Sequence, residues 1–376
     1  MVAIIALLAM VPNDGLAGKV LCGYQGWFTT PGDGTGIDWF HYANRGKFEP
    51  GHSNVEYWPD TRELDADEKI PTAFKHKDGS TAYVYSAANA KTVKRHFRWM
   101  KDYGIDGVFV QRFGSDLRGA QMKAFRDKVL RSCREGAEAN GRLFAVMYDL
   151  SGLNEGETAS IREDWMKIRG LVKSPQYLRD HGKPVVAVWG VGFNDNRKYT
   201  LKECEALVEF LQKDGAEVML GVPTYWREGN RDSLPDIQST VAKADIISPW
   251  AVGRFGDEAG VRNYAETVKA DVTWCNAKGK QYMPVAFPGF SWHNMNPGSA
   301  FDQIPRRAGA FMRSQFDAYR AAGAKTAYVA MFDEMDEGTA IFKVAPNAPD
   351  GFLTYGDLPS DYYLRLVGDE TKKMRR

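Results

Sequence analysis

From Ala90 onward, two periodicities take turns along the chain. Residues 91–103 carry Val93, Phe97 and Met100 at the spacing of one helical face, and Gly104 stops the run. Residues 106–113 follow as an apolar run of strand length. The alternation then repeats, with helical patterns over 119–140, 161–179, 201–214, 234–243, 258–278, 305–322 and 359–369. Strand-like runs cover 19–28, 142–149, 183–190, 217–226, 244–250, 281–292 and 325–332. Apolar strands separated by helices mean a parallel sheet with the helices outside. Eight such units predict an α/β fold, a single (β/α)8 TIM barrel, over residues 19–376. An open doubly wound sheet would carry a Gly-x-Gly-x-x-Gly turn after its first strand, and no such turn or P-loop is present.

Two stretches break the pattern. Residues 37–89 have little periodicity and are rich in aromatics, proline and glycine, so they read as a long loop insertion after strand one. Residues 1–11 are apolar and resemble the core of a signal peptide, although the basic flank is missing. Residues 1–18 are therefore expected to be either an export signal or an apolar lead-in packed on the barrel. The first alternative carries the expectation of a periplasmic or secreted protein. No segment reads as an integral membrane span.

Composition narrows the chemistry. The formal net charge of +1 gives no basis for binding nucleic acid or an anionic membrane, and a monomer is expected. Cys22, Cys133, Cys204 and Cys275 form no Cys-x-x-Cys pair, which argues against a zinc site or a disulfide framework. The six histidines show no metal-binding spacing.

In a barrel of this kind the chemistry collects at the C-terminal ends of the strands. Those ends read Trp27 and Phe28; Gln111 and Arg112; Tyr148 and Asp149; Trp189; Tyr225 and Trp226; Trp250; Trp292 and His293; and Asp333 with Glu334 and Glu337. His41, in the insertion, is placed near them. Aromatics beside amides and carboxylates suit an oligo- or polysaccharide, whose C–H faces stack on rings while its hydroxyls need directional partners. Any one of these aromatics also fits ordinary packing at a barrel mouth, and Arg112 fits a structural ion pair as well as a substrate contact.

Residues 333–337 hold four carboxylates in five positions. Glu334 and Glu337 are three apart, which on a helical turn places their side chains on one face, about 5–6 Å apart at Cβ. A pair of carboxyls flanking a glycosidic bond is the equipment for hydrolysing it, and crowding raises the pKa that a general acid needs. A solvated acidic loop, a divalent-metal hydrolase using the acid cluster, and a carbohydrate-binding barrel without turnover are the alternatives.

The run Glu334-Met-Asp-Glu337-Gly-Thr-Ala-Ile341 after the eighth strand resembles the E-x-x-E-G-T-x-I signature of glycoside hydrolase family 99. The start, with Trp27-Phe28, Pro31, Trp39 and His41, is similar too, and the chain is best described as a family 71/99-like hydrolase. The resemblance implies a retaining, endo-acting glycosidase on α-linked, mannan-like glycans, with no metal or other cofactor. It implies Glu334 as the base on the substrate's own 2-hydroxyl and Glu337 as acid and then base. The family's more usual Asn before the first glutamate is Asp333 here, and Phe28 stands where a Tyr would offer a hydroxyl.

Overall fold

In the computed structural model, which describes residues 10–376, eight parallel strands close around a packed interior. They are β1 (Val20–Tyr24), β2 (Gly107–Phe113), β3 (Leu143–Asp149), β4 (Lys183–Trp189), β5 (Glu217–Val222), β6 (Ile246–Pro249), β7 (Gln281–Tyr282 and Val285–Ala286) and β8 (Ala327–Val329). β7 is split because Pro284, with no N–H, interrupts the ladder. Its first half pairs with β6 and its second with β8. β8 pairs with β1, Tyr328 lying opposite Leu21, and this completes the (β/α)8 barrel. The helices α1 (Ala90–Tyr103), α2 (Ala120–Asn140), α3 (Thr158–Ile168), α4 (Leu201–Lys213), α5 (Gln238–Lys243), α6 (Glu258–Ala277), α7 (Ala310–Ala321) and α8 (Tyr362–Met374) follow the strands in turn. Local chemistry sets several of their ends. Gly104 and Gly141 adopt left-handed conformations that close α1 and α2, and Thr200 with Glu203 forms a capping box on α4.

Several expected elements are shorter than their patterns, among them the strands expected over 19–28, 281–292 and 325–332 and the helices expected over 234–243 and 305–322, and in two further cases proline sets the end. The helix expected over 161–179 ends at Ile168, because a 3-10 turn and Pro175 lead into a short antiparallel pairing of Arg179–Asp180 with β4. The strand expected over 217–226 ends at Val222, since Pro223 opens a turn.

The insertion after β1 is folded. It contains a hairpin, Ile70–Lys75 with Thr81–Val84, and packs Trp39, Tyr42, Phe48, Trp58 and Phe74 ring against ring. It is tied to the chain beyond β8, with Ala345 N donating to Trp58 O at 2.9 Å and Leu353 N to Glu56 O at 2.7 Å. Residues 1–9 of the signal-like segment lie outside the described residues. The part of it that is described packs on the barrel: Val11 and Leu16 are buried, and Val11 N donates to Gly141 O at 3.0 Å. All four cysteines are buried and unbonded.

Candidate active site

The acid cluster begins where β8 leaves the sheet. Phe332 N donates to Gly23 O at 2.8 Å, and the chain then folds back on itself, Ile341 N donating to Met331 O at 3.1 Å. Residues 333–340 therefore form a tight excursion rather than a helix. Arg306 pins its far side: Nη2 donates to Gly338 O at 2.7 Å and to Ala340 O at 2.6 Å. Its guanidinium lies among the rings of Tyr57, Tyr355 and Tyr363. Gly338 has a φ of 64°, and a Cβ there would meet Ser291 N at 2.9 Å. Only glycine fits that turn without displacing the strand-seven loop.

The four carboxylates go separate ways. Asp333 accepts hydrogen bonds from the backbone N–H groups of Gln25 and Gly26, at 2.8 and 2.9 Å, and is fully buried. Asp336 meets Nδ1 of His41 at 2.7 Å, and that imidazole stacks on Trp27 with ring centres 3.7 Å apart. Glu334 accepts from Nε2 of Gln25 and from the Thr339 hydroxyl, both at 2.5 Å. The Glu337 side chain has no hydrogen-bond partner among the described residues, although its backbone O accepts from Ser291 N at 3.1 Å.

Glu334 and Glu337 both face a cavity of about 250 Å³ lined by Gln25, Trp27, Gln111, Phe113, Asp149, Ser151, Trp189, Trp250 and Met331. Four polar atoms on these walls have no protein partner: Nε1 of Trp27 and Trp189, and Oε1 of Gln25 and Gln111. Buried polar groups are normally paired, so two unused donors and two unused acceptors at one cavity mark a place for a hydroxyl-rich ligand.

Burial dominates the electrostatics. It pushes Glu337 up to about 7, helped by Asp336 and Asp149. Glu334 rises well above the ordinary range through burial and then through Glu337 and Asp336, with Thr339 and Gln25 opposing. Burial raises Asp336 to about 8 and lowers His41 to about 3.

The barrel gathers Trp27, Gln111, Asp149, Trp189, Trp250, Glu334 and Glu337 of the expected set at one cavity. Other members lie elsewhere. Arg112 and Tyr148 face the helices: Arg112 Nε meets Asp164 at 2.5 Å, Nη2 meets Asp127 at 2.6 Å, and the Tyr148 hydroxyl donates to Asp164 at 2.9 Å. Of the two readings of Arg112, this is the structural ion pair. Trp226 is buried outside the barrel, its Nε1 donating to Asp271 at 3.1 Å and its ring edge-on to Trp274 of α6. Tyr225 lines a separate cavity of about 470 Å³ with Arg231 over its ring. Phe28 packs against Tyr42 and Tyr85, and His41 and Asp333 brace the site from behind its walls. Trp292 and His293 stand on the loop after β7, where His293 Nδ1 donates to Ser299 O at 2.7 Å. Gln25, Phe113, Ser151 and Thr339 were not among the expected site residues. Strand parity reveals Phe113, two positions after Gln111, and the position after β1 reveals Gln25.

A family model, glycosyl hydrolase family 99, matches residues 16–376. The chain belongs to this family. Each position of the family 99 signature has a physical task here: Glu334 and Glu337 face the cavity, Gly338 makes the left-handed turn, Thr339 donates to Glu334, and buried Ile341 returns the chain to β8. The fold is similar to the family 99 endo-α-mannosidase from Bacteroides thetaiotaomicron, with a TM-score of 0.71 at 18% identity over 96% of this chain and 98% of that one. It is also similar to a glycoside hydrolase-like protein, with a TM-score of 0.61 at 16% identity over 96% of each chain. No curated protein matches.

Proposed function

We propose that the protein is a retaining endo-glycosidase that cleaves α-linked, mannan-like glycans with Glu334 and Glu337. The observation that carries this reading is the pair of glutamates facing one aromatic cavity, only one of them held by hydrogen-bond donors. The charge of Glu337 raises Glu334, so the pair shares a proton near neutrality. Burial raises both, but only Glu334 has donors, Gln25 and Thr339, that stabilise its charged form in place, so we assign the charge to Glu334 and the proton to Glu337 on that hydrogen bonding. Glu337 then serves as the acid, and Glu334 as the base.

In the first step Glu334 takes the proton from the sugar's 2-hydroxyl, and that oxygen attacks the anomeric carbon. Glu337 gives its proton to the departing glycosidic oxygen as the bond breaks. In the second step Glu337 takes a proton from water, the water oxygen opens the three-membered ring at the anomeric carbon, and Glu334 returns its proton to the 2-oxygen. Two inversions leave the configuration retained. Trp189 and Trp250 offer ring surface to the sugar in the cleavage site, and Trp27 and Trp189 offer unpaired indole N–H groups.

The test is incubation with α-mannan oligosaccharides and aryl α-glycosides, following product anomers by NMR. Production of the α-anomer first, abolished in Glu334→Gln and in Glu337→Gln, is expected. Binding without products would instead favour a non-catalytic carbohydrate-binding barrel, and an inverted first product would overturn the mechanism.

A further inference from the structure

At the N-terminal end of the barrel, away from the acid loop, a second group of titratable side chains converges. Asp180 and His181 lie in the turn before β4, and Glu217 is the first residue of β5. Nδ1 of His181 is 3.0 Å from Oε1 of Glu217 and 3.3 Å from Oδ2 of Asp180, and all three donor atoms lie within 4.8 Å of one another. Both carboxylates are buried, at 2% and 6% exposure, whereas the imidazole is largely open to solvent.

Two buried carboxylates in contact need a counter-charge. Among the described residues His181 is the only basic side chain paired with either of them. The cluster of Asp65, Asp67 and Glu68 has the same ligand count but is already neutralised by Lys91 and Arg95. At the Asp180 group the neutral partners are the side-chain amide of Gln281, the first residue of β7, and the N–H of Leu16.

We propose that Asp180, His181 and Glu217 bind a divalent transition metal of the zinc class, with water completing the coordination. An ion about 2.0–2.2 Å from each donor in tetrahedral geometry sets neighbouring donors about 3.3–3.5 Å apart, close to the 3.0 and 3.3 Å that separate His181 Nδ1 from the two carboxylates. One imidazole and two carboxylates favour zinc over magnesium, which prefers oxygen and retains its waters. Solvent access at His181 gives the ion its entry and the water its place. Bound there, the ion joins the turn before β4 to the start of β5, at the face of the barrel that serves stability rather than chemistry.

The experiment uses the full chain stripped with EDTA, with zinc chloride as the probe and magnesium chloride as the control. Equilibrium dialysis is expected to retain roughly one zinc per chain, and the Tm to rise by about 3 °C or more on zinc addition and not with magnesium. His181→Gly removes the imidazole where φ is 46°, a conformation glycine adopts freely, so this variant keeps the turn. It is expected to lose zinc retention at least tenfold and to lose the Tm response, and Glu217→Gln to weaken both. Absence of stoichiometric zinc on the stripped wild type, or retention unchanged in His181→Gly, overturns the proposal. Neither result bears on the glutamates at the opposite end.

Discussion

Gln25 donates its side-chain amide to Oε1 of Glu334 at 2.5 Å, and the same residue's backbone N–H is held by Asp333 at 2.8 Å. The first strand thus delivers a donor to the carboxylate supplied by the eighth, and Asp333 fixes where that donor stands. A carboxylate at position 333 has an oxygen for each of the two N–H groups, from Gln25 and Gly26. An amide has only one acceptor oxygen, which gives the Asp a reason for being here.

Gln25→Ala removes a hydrogen bond to a charged group, worth about 1.5–3 kcal/mol. Because that bond favours charge on the base, kcat is expected to fall about 10- to 100-fold while the fold is kept. Steady-state kinetics on an α-linked oligosaccharide, together with circular dichroism, checks both halves.

Glu337→Gln should be sensitive to the leaving group. A natural glycosidic oxygen needs a proton, so the variant is expected to lose about 100- to 10,000-fold on oligosaccharides. A dinitrophenyl α-glycoside leaves without help, and the loss in the first step should shrink by at least tenfold. Equal losses on both substrates would remove Glu337 from the acid role.

The pH profile follows from the same group. Glu337 works protonated and is held at about 7 by burial, Asp336 and Asp149, so kcat/KM is expected to fall on the alkaline side with a midpoint near 7. Asp149→Asn removes one of the charges that holds the proton on, and should move that midpoint to lower pH. A midpoint that stays put would show that the alkaline limb belongs to another group.

Stability should run with the same sign. Asp333, Glu334, Asp336 and Glu337 all have raised pKa values in the folded chain. A carboxyl of this kind stabilises the fold fully below its unfolded pKa, and that contribution is lost as pH rises through the folded value. The Tm is therefore expected to be higher at about pH 5.5 than at about pH 8.5. In Glu337→Gln, which cannot ionise, the difference should narrow and the Tm at the higher pH should rise by about 2–4 °C. Differential scanning calorimetry of both proteins at the two pH values decides it.

Arg112 belongs to the scaffold. Its guanidinium is buried against Asp164 and Asp127, so Arg112→Ala leaves the buried Asp164 with only the Tyr148 hydroxyl and Lys123, at 3.4 Å, and is expected to cost about 3 kcal/mol of stability. Urea unfolding should report that loss, with KM changed less than threefold in whatever fraction remains folded.

The alternation of strand and helix patterns determined the barrel, because periodicity and helix-stop glycines are local properties that tertiary packing here reinforced. The place of the glutamate pair was legible too, since acids that directly follow the eighth strand must stand at the C-terminal face of the barrel. What the chain order could not carry was direction. On β2 the parity of the pleat sends Gln111 and Phe113 to the cavity and Arg112 to the helices, and the same rule on β3 divides Asp149 from Tyr148. Parity is readable in principle, but it depends on which residue each strand points at the barrel axis. The turn after β5 took Trp226 out to α6, because Pro223 ended the strand before the aromatics arrived. The division of labour among Asp333, Glu334, Asp336 and Glu337 was decided by tertiary structure alone. Their partners, Gln25, Gly26 and His41, lie about 300 residues away, with separations of 309, 307 and 295. Four adjacent carboxyls are chemically alike until closure of the barrel brings each a different neighbour.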